Sequence, residues 1–187
     1  MAQIYRIGSK GECMQFVTFR LNDSIPQTKL NEWTEAHRTW LRMHPKPWDD
    51  RTRTDYTIQF TQPFEAWLDK GCGAYLFKQA KYRELFATVL MNDSQKRAIF
   101  KAWVIMPNHV HLLFKPMAPL ALLIKTWKGV SARNIQQGSI WQGNYRDTLI
   151  RNIKHFESVV RYIRQNPKNL SNNTFTLWES ERVKAIA

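Results

Sequence analysis

The run Ala102-Trp-Val-Ile-Met-Pro-Asn-His-Val-His-Leu-Leu-Phe114 decides the fold. It reads as two apolar strands, Ile99 to Ile105 and His109 to Phe114, turned on Met106-Pro107-Asn108, where proline fixes φ and asparagine tolerates the left-handed region. A hairpin this apolar belongs at the heart of a sheet. Successive side chains of a strand point to opposite faces, so His109 and His111 present both imidazoles to one face. Two imidazoles on one face can share a metal ion.

Working outward, Gln15-Phe-Val-Thr-Phe-Arg20 predicts a first strand, rich in β-branched and aromatic residues. Ser24 is placed to cap the next helix, with Pro26 in its first turn and Gln27 at the capping-box position. Leu30, Trp33, Trp40 and Leu41 give that helix an apolar stripe, ending near Met43. The stretch 43–61 carries two prolines and is expected as a loop or insertion. Thr61 can cap a short helix through Trp67 and Leu68, stopped by Gly71 and Gly73. A longer helix is predicted from Leu76 to Met91, broken at Asn92-Asp-Ser94. Beyond the hairpin, Leu120, Leu123, Ile124, Trp127, Val130 and Ile135 recur at helical spacing, with Gly138 as a stop. Tyr145 to Ile150 predicts a last strand, and Phe156, Val159, Val160 and Ile163 a last helix ended by Pro167. The tail from about residue 168 is expected to pack only in part. This order predicts an α+β fold with one domain over residues 1–187: a ferredoxin-like, largely antiparallel sheet, helices on one face, and the two histidines on a central strand.

The 28 Lys and Arg outnumber the 15 Asp and Glu, giving a net charge of +13. Such a surface concentrates polyanions, and nucleic acid is the expected partner. An anionic membrane would require a polybasic amphipathic helix or an anchor, and the chain offers neither. No run approaches the ~18 apolar residues of a membrane span, and Met1 to Gly11 lacks the apolar core of a signal peptide. Two cysteines, Cys13 and Cys72, cannot build a disulfide framework, which points to the cytoplasm, with the nucleoid expected if the nucleic acid bound is DNA.

Chemistry is suggested by a second segment, Arg161-Tyr-Ile-Arg-Gln-Asn-Pro167. Tyr162 and Asn166 are four residues apart, so on a helix phenol and amide project together. A phosphodiester resists attack because negative charge accumulates on its non-bridging oxygens; a divalent ion neutralises them and fixes the phosphate for in-line displacement. His109, His111 and Asn166 offer three ligands, and a nearby cation would make ionised Tyr162 accessible. A purely structural account stays open at this point, with Tyr162 an amphipathic-helix residue whose ring is buried and Asn166 a C-terminal cap before Pro167. Lys125, Lys128 and Arg133 on the helix after the histidine strand, and Arg161 and Arg164 beside the tyrosine, are candidate phosphate contacts. A solvated helix face is an equal account of each. Trp127 lies in the apolar stripe and is expected in the core.

Together these segments resemble the single-tyrosine HUH transposases (His, hydrophobic residue, His), and within them the REP-associated tyrosine transposases, which carry Asn four residues after the tyrosine. The similarity extends to Phe16-Val-Thr-Phe-Arg-Leu21 and Ile140-Trp-Gln-Gly-Asn-Tyr-Arg-Asp147. The resemblance implies a ferredoxin-like domain that cleaves single-stranded DNA, with His109, His111 and Asn166 holding Mg²⁺ or Mn²⁺. Tyr162 would form a 5′-phosphotyrosine and leave a free 3′-hydroxyl, without ATP or another nucleotide cofactor. It implies hairpin or single-stranded DNA as partner, and a monomer or homodimer. Two other readings remain: a hairpin-DNA-binding protein or repressor that no longer transposes, and a metal hydrolase in which the histidines activate water.

Overall fold

The computed structural model describes residues 13–70 and 73–186. The predicted hairpin forms β2 (Ala98–Ile105) and β3 (His109–Pro116). β1 (Gln15–Arg20) pairs antiparallel with β3 on one side and with β4 (Arg146–Leu149) on the other, and β5 (Thr176–Glu179) extends the sheet beyond β2. The strand order is β4-β1-β3-β2-β5, so the histidine strand is central. Its first four strands have the antiparallel ferredoxin-like arrangement, with helical crossovers from β1 to β2 and from β3 to β4.

Alternation along these strands builds two cores. Val17 and Phe19 of β1, Phe100 and Trp103 of β2, and Val110, Leu112 and Phe114 of β3 bury against α4 (Ala80–Asn92) and α5 (Leu120–Ile135). Trp127 is fully buried there, as its apolar stripe predicts. Ala102, Val104 and Leu113 line the opposite face and bury against Phe156, Val159, Val160 and Ile163 of α6 (Ile153–Gln165). The expectation of helices on one face is therefore corrected. A β-bulge between Phe100 and Ala102 shifts the side-chain alternation of β2, so Phe100 before it and Trp103 after it face the same core. The final helix thus lies on the face that carries His109 and His111.

The stretch 43–61 is not a loop throughout. α1 (Gln27–Met43) ends where predicted, but α2 (Asp50–Tyr56) starts after Asp49, whose carboxylate accepts from the Thr52 amide. It continues through a π-turn (Thr57–Thr61) into α3 (Gln62–Lys70). Trp40, Trp48, Tyr56 and Phe60 pack ring against ring and give this segment its own apolar cluster. Ser24 does not cap α1: it is fully buried, accepts from Arg20 and donates to the Leu21 carbonyl. The helix predicted from Leu76 begins as a 3₁₀ turn (Leu76–Lys78) before α4. Gly71 and Cys72 lie outside the described residues, and Gly73 has φ +94°, in the left-handed region that favours glycine.

The tail is also more ordered than its polarity predicts. After Lys168 it forms β5 and α7 (Glu181–Lys184), with Trp178 stacked on Trp103 and Val183 fully buried. Buried Arg83 holds it by donating to the Asn173 carbonyl and the Thr176 hydroxyl. Among the described residues, no helix is long and apolar enough to cross a membrane.

Candidate active site

His109 and His111 point to the α6 face, as strand alternation requires, and their Nε2 atoms are 3.0 Å apart. Neighbours fix the protons. Asn108 spends its amide N–H on the Leu68 carbonyl, so its oxygen, 2.8 Å from His109 Nδ1, must accept. His109 Nδ1 therefore carries the hydrogen, and its Nε2 is a bare lone pair aimed at His111. Asn108 is not in the left-handed region expected of it; its part is this bond. His111 Nδ1 lies 2.7 Å from the hydroxyl of Thr18, which can donate or accept and so tolerates either tautomer.

The last helix brings the other two groups to this point. Its N-terminus is capped by Asn152, whose side chain accepts from the His155 amide, and it closes on Asn166, whose amide donates to the Tyr162 carbonyl. Tyr162 Oη lies 3.5 Å from His111 Nε2, and Asn166 Nδ2 lies 3.3 Å from the same atom. Asn166 Oδ1 is buried without a hydrogen-bond partner. Asn166 is thus a helix cap through its backbone and a site residue through its side chain. Phe16, unanticipated from the sequence, stacks on the His111 ring at 5.5 Å and meets Tyr162 edge-on at 5.8 Å.

Burial governs the electrostatics. His109 and His111 are at most 1% exposed. Desolvation pushes His109 down to about 3, with Asn166 pulling slightly the other way. His111 is held well below its ordinary value by burial, then by His109 and Arg146. Both imidazoles are neutral at pH 7, the state a metal ligand needs. Two neutral nitrogens and an unpartnered carboxamide oxygen make a donor set suited to a divalent cation. Among the described residues, no group of three or more His, Cys, Asp or Glu could hold a metal ion. A centre built here would take its third ligand from an amide.

The basic candidates divide. Lys125, Arg133 and Arg161 are exposed. Lys128 instead bonds the Gln142 and Asn144 carbonyls at 2.7 and 2.9 Å, and burial lowers its pKa to about 8. Arg164 pairs with Glu179 at 2.7 Å and donates to the Val183 and Ile186 carbonyls. These two hold the fold together in this structure, with their hydrogen bonds spent within the chain. Sequence reasoning missed Thr18, Arg20 and Arg146. Thr18 and Arg20 were visible as the polar residues alternating with Val17 and Phe19, but register alone sets Thr18 opposite His111, Arg20 opposite His109 and Arg146 opposite Thr18.

Comparison with known proteins bears on this site. Residues 74–166, which include both histidines, Tyr162 and Asn166, match the family model described as "Transposase IS200 like". No curated protein matches the chain. Among solved structures the chain resembles one described as "Structure of the REP associates tyrosine transposase bound to a REP hairpin", at 19% identity and a TM-score of 0.46. That match covers 90% of this chain and 73% of the other.

Proposed function

We propose, from the match of residues 74–166 to the IS200-like transposase model, that the chain cuts and rejoins single-stranded DNA beside hairpins, with Tyr162 as the nucleophile. The observation that carries this reading is the convergence of Tyr162 Oη, the two Nε2 atoms and the Asn166 carboxamide on one point of the sheet.

In the forward step Tyr162 Oη attacks the phosphorus. The Oη–P bond forms, the bond from phosphorus to the 3′ oxygen breaks, and the phenol proton is lost to water. The departing 3′ oxygen takes up a proton, so the step is proton-neutral, and one phosphodiester is exchanged for another. That equivalence lets a 3′-hydroxyl reverse the step and rejoin strands without ATP. His109, His111 and Asn166 would hold Mg²⁺ or Mn²⁺, which would neutralise the non-bridging oxygens and favour the ionised phenol. The protein's own part is positional. Phe16 limits the swing of Tyr162 and His111, and helix α6 fixes phenol and amide on one face.

The test is a denaturing gel with a hairpin-bearing single-stranded oligonucleotide and Mn²⁺. A covalent protein–DNA species is expected, absent in Tyr162→Phe and reduced at least a hundredfold in His109→Ala. A freed 5′-phosphate without protein linkage would instead make the enzyme a hydrolase.

A further inference from the structure

We propose that the candidate metal centre takes its divalent ion together with the substrate phosphate: the free protein binds the ion weakly, and ion and DNA each strengthen the binding of the other. The inference rests on the strand-transfer reading, because the phosphate it invokes is the one that reaction cuts.

The charges around the centre carry the argument. Protein sites for Mg²⁺ usually place carboxylates beside the substrate's phosphates. Here the candidate ligands are two imidazoles and a carboxamide, which bring no negative charge. Among the described residues, no Asp or Glu joins the two histidines in a group that could hold a metal ion. The charges that the sheet sets on this face are instead positive. Arg20 stands opposite His109, and Arg146 stands opposite Thr18, whose other cross-strand partner is His111. Paired residues of an antiparallel sheet share a face. Strands lie about 5 Å apart, so Arg20 starts one strand, and Arg146 about 10 Å, from the histidine strand.

Both guanidiniums are held in place without being neutralised. Arg20 is only 5% exposed, donates to the Ser24 hydroxyl and lies 5.3 Å from the centre of the Phe64 ring. Arg146 donates to the Thr61 hydroxyl and lies 5.6 Å from the centre of the same ring. Among the described residues neither has a carboxylate partner. The field of Arg146 reaches the centre, since it helps to hold His111 below its ordinary value. A fixed cation about 10 Å from a divalent ion in a partly buried site opposes its binding about tenfold. A phosphate supplies the missing negative charge and relieves ion and guanidiniums together. Tyr162 Oη, 3.5 Å from His111 Nε2, therefore meets an activating cation chiefly when DNA is in place.

The experiment measures Mn²⁺ binding by calorimetry in a Tyr162→Phe background, with and without a hairpin-bearing single strand. Only the binding lost in His109→Ala is counted, which removes Mn²⁺ taken up by the DNA itself. DNA is expected to tighten Mn²⁺ binding about tenfold or more, and Mn²⁺ to tighten DNA binding by the same factor, because linkage is reciprocal. Arg146→Gln, whose amide can still donate to Thr61, should tighten Mn²⁺ binding to the free protein about tenfold and shrink the gain from DNA. Arg146→Lys, which keeps the charge, should leave both as they were. A purely structural role for Arg146 gives the opposite sign, with weaker Mn²⁺ binding in Arg146→Gln. Unchanged or weaker binding in that variant overturns the coupling, as does a Mn²⁺ affinity that DNA does not alter, or no His109-dependent Mn²⁺ binding in any of these proteins. Absence of any adduct with wild-type protein would sink the strand-transfer reading, while these titrations, which need no cleavage, would still report the coupling.

Discussion

Asn108 determines which nitrogen of His109 is bare, because its amide hydrogen is committed to Leu68 and its oxygen to the imidazole. It is a positioning residue. Asn108→Ala should weaken Mn²⁺ binding tenfold to a hundredfold by calorimetry, whereas Asn108→Asp, which keeps the acceptor, should restore most of it. Equal losses in both variants would reduce Asn108 to a packing role. The histidines also set a pH dependence. His109 is held near 3 and His111 well below 6.5, both chiefly by burial, while in the unfolded chain each titrates at its ordinary value. Between about pH 6.5 and about pH 3 the unfolded chain therefore binds more protons, so stability is complete above that window and falls as acid is added. Thermal unfolding in metal-free buffer should show the midpoint dropping from about pH 7 to about pH 4.5, with a shallower drop in His109→Asn/His111→Asn. An equal slope in the two proteins would place the acid sensitivity elsewhere.

Among the elements, those whose signal is local were legible in the sequence. β1 occupies the predicted Gln15–Arg20, α1 ends at Met43, and the hairpin turns at Met106-Pro107-Asn108, because periodicity and turn chemistry are written within each segment. The pairing of His109 with His111 and of Tyr162 with Asn166 was equally readable from spacing. What brings the two pairs together was not. That meeting needs α6 on the face opposite α4 and α5, which depends on how Phe156 and Val160 find Val104 and Leu113. β5 is another case: it forms because Trp178 meets Trp103 and because Arg83 and Arg164 reach the tail from distant helices. Arg164→Met should therefore lower stability by about 2 kcal/mol. It should also speed amide exchange in Thr176–Glu179 while leaving the salt dependence of DNA binding unchanged. A lowered salt slope without faster exchange would return Arg164 to the DNA contacts.

For the whole molecule, a charge of +13 is carried by a sheet with both faces in use: one closed by α4 and α5, the other open enough to bring α6 to the histidines. If DNA crosses that second face, most of its affinity is counterion release. Binding of a single-stranded oligonucleotide should then fall about a thousandfold between about 50 mM and about 200 mM salt, for some six to eight phosphates engaged. Salt-insensitive binding would contradict an electrostatic track. Arg161, exposed on α6, is a position where neutralisation should lower the slope without loss of stability.

The central claim is that Tyr162 becomes covalently joined to DNA. Mass spectrometry of peptides from the protein, after reaction with a hairpin-bearing single strand and Mn²⁺ followed by nuclease trimming, tests it most directly. The account predicts a 5′-phosphonucleotide on Tyr162, with the other product ending in a 3′-hydroxyl. A modification on any other residue, or cleaved DNA with an unmodified protein, would contradict it.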